Sequence, residues 1–182
     1  MYVNNLSKSY CMDIKTEELK IGEIAPAFKS DSTVGELSLE LFKDKNIVIY
    51  FYPKDMTPGC TLEAKEFSAA YSQFKELDTE IIGVSKDNLS SHHRFCEQEN
   101  IPYPLLSDTE GKVCDMYGAF KNKSMFGKTF VGINRMTFLI DKNKKIFKIW
   151  RNVKPRGHAK VVLNAINIVH LISNKSRIGL SV

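Results

Sequence analysis

Long apolar runs are missing from this chain. The longest, residues 47–52 (Ile-Val-Ile-Tyr-Phe-Tyr), has six apolar residues, against the roughly 20 that a membrane-spanning helix needs. A helical span is therefore not expected. The basic-then-apolar pattern of a secretory signal is also missing, so the expected location is the cytoplasm. Cysteine is scarce. Cys11, Cys60, Cys96 and Cys114 are too few and too scattered to staple a fold, and in a reducing compartment they suggest redox chemistry, metal binding or plain packing. No C-x-x-C or H-x₃₋₅-H pair offers a closed metal site, so no metal is expected. Acidic side chains nearly vanish in the last third. Residues 121–182 hold 14 Lys/Arg and one acid, Asp141, whereas residues 1–120 hold 12 Lys/Arg and 20 Asp/Glu. Such a basic half raises nucleic acid or an anionic surface as partners. Its charges are dispersed through apolar-patterned segments, without a run of five or six, which favours a solvated basic face over a nucleic-acid site.

What is present is the composition of one ordinary globular domain: 182 residues, 43% of them apolar and 26% charged. Residues 1–17 are polar and aperiodic and read as a flexible tail. A start at Met12 would leave Cys11 outside the protein. The domain is expected over 18–173, followed by a basic tail over 174–182. The continuous run at 47–52 predicts a strand buried on both faces of a parallel sheet. Pro53, Pro58 and Gly59 then break the chain, with Thr57 as N-cap and Pro58 at the first position of a helix over 58–77. Ala64, Phe67, Tyr71, Phe74 and Leu77 mark its buried face. Further strands are expected at 81–85, 104–107, 136–140 and 145–150, the last two joined by a hairpin turn. Helices are expected at 89–99, 109–117 and 159–172. Short strands at 27–28 and 36–38, around Val34-Gly35, add an N-terminal hairpin. This order predicts a three-layer α/β domain with a mixed central sheet.

The chemistry concentrates in Tyr52-Pro-Lys-Asp-Met-Thr-Pro-Gly-Cys60-Thr61-Leu-Glu63, at the carboxyl end of a strand and the start of a helix. The free N–H groups and positive dipole end of a helix stabilise an anion there, which for Cys60 is the thiolate. Nearby cations act in the same sense. The competing reading is a small core residue, common for cysteine. The break residues and the helix start favour the reactive reading.

Pro53-x-x-x-Thr57-x-x-Cys60, with Thr61 and Glu63, resembles the peroxidatic signature of peroxiredoxins, and the wider stretch from Phe51 to Thr61 resembles the peroxiredoxin Q, or bacterioferritin comigratory protein, branch. Gly22-x-x-Ala25-Pro-x-Phe28, Phe95-Cys96, Pro104-Leu-Leu-Ser-Asp108, Tyr117-Gly118 and Gly132-Ile-Asn-Arg135-Met-Thr-Phe-Leu-Ile-Asp141 extend the match over roughly residues 20–172. The resemblance implies a thioredoxin-like three-layer α/β/α fold and a thiol peroxidase acting on hydrogen peroxide and small organic hydroperoxides. It implies Cys60 as the peroxidatic thiolate, Arg135 as the cation that stabilises developing negative charge, Thr57 as a hydroxyl partner of peroxide and thiolate, and Pro53 as a shield and shaper of the loop. Glu63 is read as a holder of Arg135 or of the helix start. A resolving cysteine common in this branch, five residues after the peroxidatic one, is replaced here by Lys65. A second arrangement places it in the next helix, where Cys96 fits. The implied cycle runs through a Cys60–Cys96 disulfide within one chain, with thioredoxin as reductant, no cofactor and a monomeric protein. One-cysteine recycling by an external thiol is the alternative for Cys96.

Cys114 is read as a packed apolar position, and His92 and His93 as solvent-facing helix residues. A dithiol oxidoreductase would need C-x-x-C, but Glu63 stands at the second position. A non-enzymatic chaperone or nucleic-acid-binding module remains the rival of a different class. Its expected activity would not depend on Cys60.

Overall fold

The computed structural model describes residues 18–125 and 128–177. The expected N-terminal tail, with Cys11 and Met12, lies outside the described residues, as do residues 178–182 of the expected C-terminal tail. The elements in chain order are β1 (Lys29–Ser32), β2 (Gly35–Ser38), a 3-10 turn (Leu39–Leu41), β3 (Asn46–Phe51), α1 (Pro58–Glu76), β4 (Thr79–Ser85), α2 (Leu89–Glu99), β5 (Leu105–Ser107), α3 (Lys112–Met116), β6 (Phe120–Met125), β7 (Lys128–Ile133), β8 (Met136–Ile140), β9 (Ile146–Arg151) and α4 (His158–Arg177).

Seven strands form one sheet in the order β2-β1-β5-β4-β3-β8-β9. β3, β4 and β5 are mutually parallel, as their helical crossovers require. β8 returns antiparallel beside β3, β9 beside β8, and the β1–β2 hairpin closes the other edge against β5. β3 is buried along its whole length, the expected state of a strand covered on both faces. Its side chains alternate between two cores. Ile47, Ile49 and Phe51 face the core formed with α3, the 3-10 turn and the segment around Ala25 and Phe28. Val48, Tyr50 and Tyr52 face the core under α1, α2 and α4, with Phe67, Phe74, Phe95, Val162 and Ile166. These two covered faces realise the expected α/β/α layering.

Several boundaries differ from expectation. The first hairpin strand begins at Lys29 rather than at residue 27, and α3 begins at Lys112 rather than 109, because Asp108 uses its carboxylate to accept from Val113 and Cys114 N–H and so fixes the helix start there. α2 is capped by Asn88, whose side chain accepts from Ser91 N–H at 2.9 Å. α4 continues to Arg177, past the expected domain end at 173. A separate two-stranded ribbon, β6–β7, had no counterpart in the sequence reading. Lys121, Asn122, Ser124, Thr129, Phe130 and Val131 are exposed, so they carry no alternation of apolar and polar to reveal a strand. Among the described residues, no helix is long and apolar enough to cross a membrane.

Candidate active site

The site sits where β3 ends. Between β3 and α1 the chain turns through residues 52–57. Met56 adopts the left-handed conformation at φ 56°, a state that costs a non-glycine residue about 1–2 kcal/mol. Asp55, immediately before it, is buried and anchors the turn. Its N–H donates to Asp87 Oδ2 at 2.9 Å, and its carboxylate accepts from Tyr52 Oη at 2.7 Å. α1 then opens at Pro58, and Cys60 occupies its first turn, 2% exposed. Thr61 N–H already bonds the Thr57 carbonyl, so the amides just ahead of it are the unsatisfied ones of a helix start.

Arg135 enters from between β7 and β8. Its Nη2 donates to Cys60 Sγ at 3.2 Å, and its Nη1 forms an ion pair with Glu63 Oε2. Gly59 lies directly against this guanidinium: a Cβ there would stand 3.4 Å from Arg135 Nη2 and 3.5 Å from Pro155. Burial works against the charge on Arg135, but Glu63 and the Cys60 sulfur outweigh it and hold its pKa above the ordinary value. Glu63 is fully buried, and burial pushes its carboxyl up to about 7 against the opposing pull of Arg135. Its Oε1 finds no hydrogen-bond partner among the described residues. Of the two roles expected for Glu63, holding Arg135 is the one observed.

The other expected residues fall as follows. Thr57 occupies the N-cap position without capping the helix, since its hydroxyl donates to the Lys54 carbonyl at 3.0 Å. Pro53 is exposed on the same loop. Cys96 lies on α2, half-buried against the core that also contains Cys60. Burial pushes its thiol up to about 11, with a hydrogen bond from Thr33 pulling the other way. Cys114 is fully buried, as expected of a packing residue, and burial raises its pKa well above the ordinary range.

One expectation is corrected. His92 does not face solvent. It is fully buried, with Nδ1 2.9 Å from Asp55 Oδ2 and Nε2 3.2 Å from the Leu106 carbonyl. The helix period alone did not reveal this, because α2 buries the His92–Phe95 stripe and leaves His93 outside.

Two further residues near Arg135 escaped the sequence reading. Lys123, on β6, donates to the Ile133 carbonyl at 2.6 Å, and burial and then Arg135 lower its pKa. His158, at the start of α4, shares a 2.8 Å hydrogen bond with Thr137 and packs edge-on against Phe67 and Trp150. Burial and then the Arg135 charge hold its pKa down at about 4. The only signal available for Lys123 was the basic composition of its segment, which does not single out one lysine. Among the described residues, no group of three or more His, Cys, Asp or Glu is placed to hold a metal ion.

A buried thiol in a helix first turn, bonded by an arginine that a buried carboxylate holds in place, is suited to nucleophilic attack by sulfur. Comparison with known proteins agrees. Residues 21–149 match the AhpC/TSA family. Peroxiredoxin Bcp of Bacillus subtilis is 45% identical over 149 residues, 81% of this chain and 95% of the relative. A Xanthomonas campestris bacterioferritin comigratory protein, solved in a study of its alkyl peroxide reduction activity, shares 36% identity. It aligns with a TM-score of 0.75 over 79% of this chain and 92% of its own. Two cysteine-to-serine variants of Xanthomonas campestris peroxiredoxin Q are each 37% identical with a TM-score of 0.75. They cover 78% and 79% of this chain and 90% and 91% of theirs, and their altered positions are as far apart as Cys60 and Cys96. With the thioredoxin-like fold shared and the sulfur–guanidinium pair in place, the chain belongs to the AhpC/TSA family, in its Bcp/peroxiredoxin Q branch, and is a thiol peroxidase.

Proposed function

We propose that Cys60 is the peroxidatic residue and that hydrogen peroxide and small organic hydroperoxides are the substrates. The Cys60 thiolate attacks the terminal peroxide oxygen. The O–O bond breaks, and the departing oxygen takes a proton and leaves as water or alcohol, with Cys60 left as a sulfenic acid. Arg135 is assigned two tasks: holding the thiolate by its Nη2 hydrogen bond and stabilising negative charge on the departing oxygen. Glu63 keeps the guanidinium aimed. Thr57 and the free amides of the first turn are assigned to the peroxide, and Pro53 to the shape of the loop. The observation that carries this reading is the 3.2 Å contact from Arg135 Nη2 to Cys60 Sγ at the start of α1.

Cys96 is assigned as the resolving residue. Its sulfur attacks the Cys60 sulfenic sulfur, the S–O bond breaks, water leaves, and a disulfide forms within one chain. A dithiol then reduces that bond by exchange, and thioredoxin is the proposed donor. The spacing of the altered cysteines in the Xanthomonas campestris variants supports the pairing. The alkyl peroxide activity named for the Xanthomonas campestris relative supports organic hydroperoxides as substrates. The proposal takes the protein as a cytoplasmic monomer without a cofactor. Cys60→Ser tests it: consumption of hydrogen peroxide with thioredoxin and its reductase is expected to vanish, while Cys114→Ser retains most of it. Substantial turnover by the Cys60 variant would overturn the assignment.

A further inference from the structure

We infer that the buried Asp55–His92 pair is a latch that holds the peroxidatic loop against the helix carrying Cys96, and that its release sets the rate of disulfide formation. The inference rests on the reading of Cys60 and Cys96 as the reacting pair. Asp55 lies five residues before Cys60, and His92 one helical turn before Cys96. Both are essentially inaccessible to water, with side chains 1% and 0% exposed. They tie together two segments that are otherwise separate in the chain.

The latch joins four side chains and one backbone carbonyl. Asp55 Oδ2 meets His92 Nδ1 at 2.9 Å and accepts from Ser91 Oγ at 2.8 Å. Asp55 Oδ1 accepts from Tyr52 Oη at 2.7 Å. On its far side, His92 Nε2 meets the Leu106 carbonyl on β5 at 3.2 Å. His92 Nδ1 also lies 3.3 Å from Tyr52 Oη, so Tyr52, Asp55 and His92 form one closed cluster, and the ring is held on both sides. The pair is a hydrogen-bonded contact in a dry site, where neither partner finds water if it separates.

The functional reactions explain why such a tie matters. A disulfide needs Cα atoms within roughly 7 Å and suitably directed Cβ vectors. Cys60 is fixed in the first turn of α1 and bonded to Arg135, and Cys96 is in another helix with its thiol partly buried. On this reading Cys60 leaves Arg135 and the first turn of α1 to bond Cys96, and the loop over 52–60 unwinds as it does so. That loop holds Met56 in its left-handed state and is anchored by Asp55. The latch thus opposes the movement that resolution needs, while the Arg135 contacts with Cys60 and Glu63 hold the peroxide site without it. His92 and Asp55 are positioning residues that touch no reacting atom.

The test separates the two chemical steps. Wild type, His92→Gln and Ser91→Ala, as full chains, are mixed with hydrogen peroxide, quenched at intervals and read by intact mass and peptide mapping. The first step, oxidation of Cys60, is expected to stay within about twofold. Formation of the Cys60–Cys96 bond is expected to speed up on the order of tenfold in His92→Gln, the scale of one lost buried hydrogen bond, and severalfold in Ser91→Ala. The peroxide dose giving half overoxidation of Cys60 should rise in the same order. A purely structural role would slow both steps or neither and would leave that dose unchanged. Unaltered bond formation in a folded His92→Gln overturns the latch. If His92→Gln does not fold, unaltered bond formation in Ser91→Ala does so. A wild type that forms no Cys60–Cys96 bond removes the pairing, and the latch with it. A wild type that forms the bond with both variants unchanged removes the latch alone.

Discussion

At the scale of single residues, the site depends on a few charged groups placed out of water. Arg135 is 13% exposed and Glu63 fully buried, and their ion pair aims the guanidinium at Cys60. A preorganised donor of this kind is worth most where charge develops in the transition state. Arg135→Ala is therefore expected to slow oxidation of Cys60 by hydrogen peroxide by about a hundredfold or more. Alkylation of Cys60 by a neutral reagent, which forms no such oxyanion, should slow much less. Stopped-flow rates for the two reagents check this, and equal slowing would reduce Arg135 to a thiolate partner alone. Cys60, Thr57 and Glu63 were legible in the sequence because one contiguous motif holds them. Arg135 was legible only through resemblance, since a lone arginine between strands carries no signal of its own. The Asp55–His92 contact was not legible at all. Its partners are 37 residues apart, and only the packing of α2 against the loop after β3 brings them together.

At the scale of elements, the strand–loop–helix unit β3–α1 carries Cys60, and α2 carries Cys96, the proposed second sulfur of the cycle. Cys96 has its thiol pushed up to about 11 by burial, so in this folded arrangement it is a poor nucleophile. The proposed unwinding would expose it and remove the cause of the shift. Cys96→Ser is expected to leave the first turnover intact, to accumulate a sulfenic acid at Cys60 and to lose most thioredoxin-supported cycling. Mass spectrometry with a sulfenic-acid trap and a coupled cycling assay check this. Full cycling by Cys96→Ser would favour the one-cysteine mechanism. The long, periodic or fully apolar elements, β3, α1, α2, β8 and α4, were readable because hydrophobic burial on a sheet leaves a period in the sequence. The β6–β7 ribbon was not, because it sits outside the main sheet with most of its surface in water. It nonetheless delivers Lys123 close to Arg135.

At the scale of the whole molecule, two cores on one sheet fix the relative positions of the site's parts, and the buried ionisable groups tie folding to pH. His158 is the clearest case. Its folded pKa is held down at about 4, first by burial and then by Arg135. A depressed value means that the unfolded chain takes up the proton first. The stability that neutral His158 contributes is therefore complete above about 6.5 and is lost as pH falls toward about 4. Relative to His158→Gln, the wild type is expected to lose stability over that window and to run parallel to it at higher pH. Denaturant midpoints across the window check this, and a constant difference would contradict it. The charge asymmetry between the halves was plain in the sequence, but it does not mark the site, whose cations act through distance and burial rather than number. Phe138, an aromatic of the basic half, shows the same distinction: it is fully buried in the core rather than displayed to a ligand.

The most direct measurement is peptide mapping of the reduced wild-type protein after one equivalent of hydrogen peroxide. Oxidation at Cys60, ending as a Cys60–Cys96 bond within one chain, is the result expected from the 3.2 Å Arg135–Cys60 contact and the pairing of the two helices. Cys60 recovered as an unmodified thiol while peroxide is consumed would contradict it.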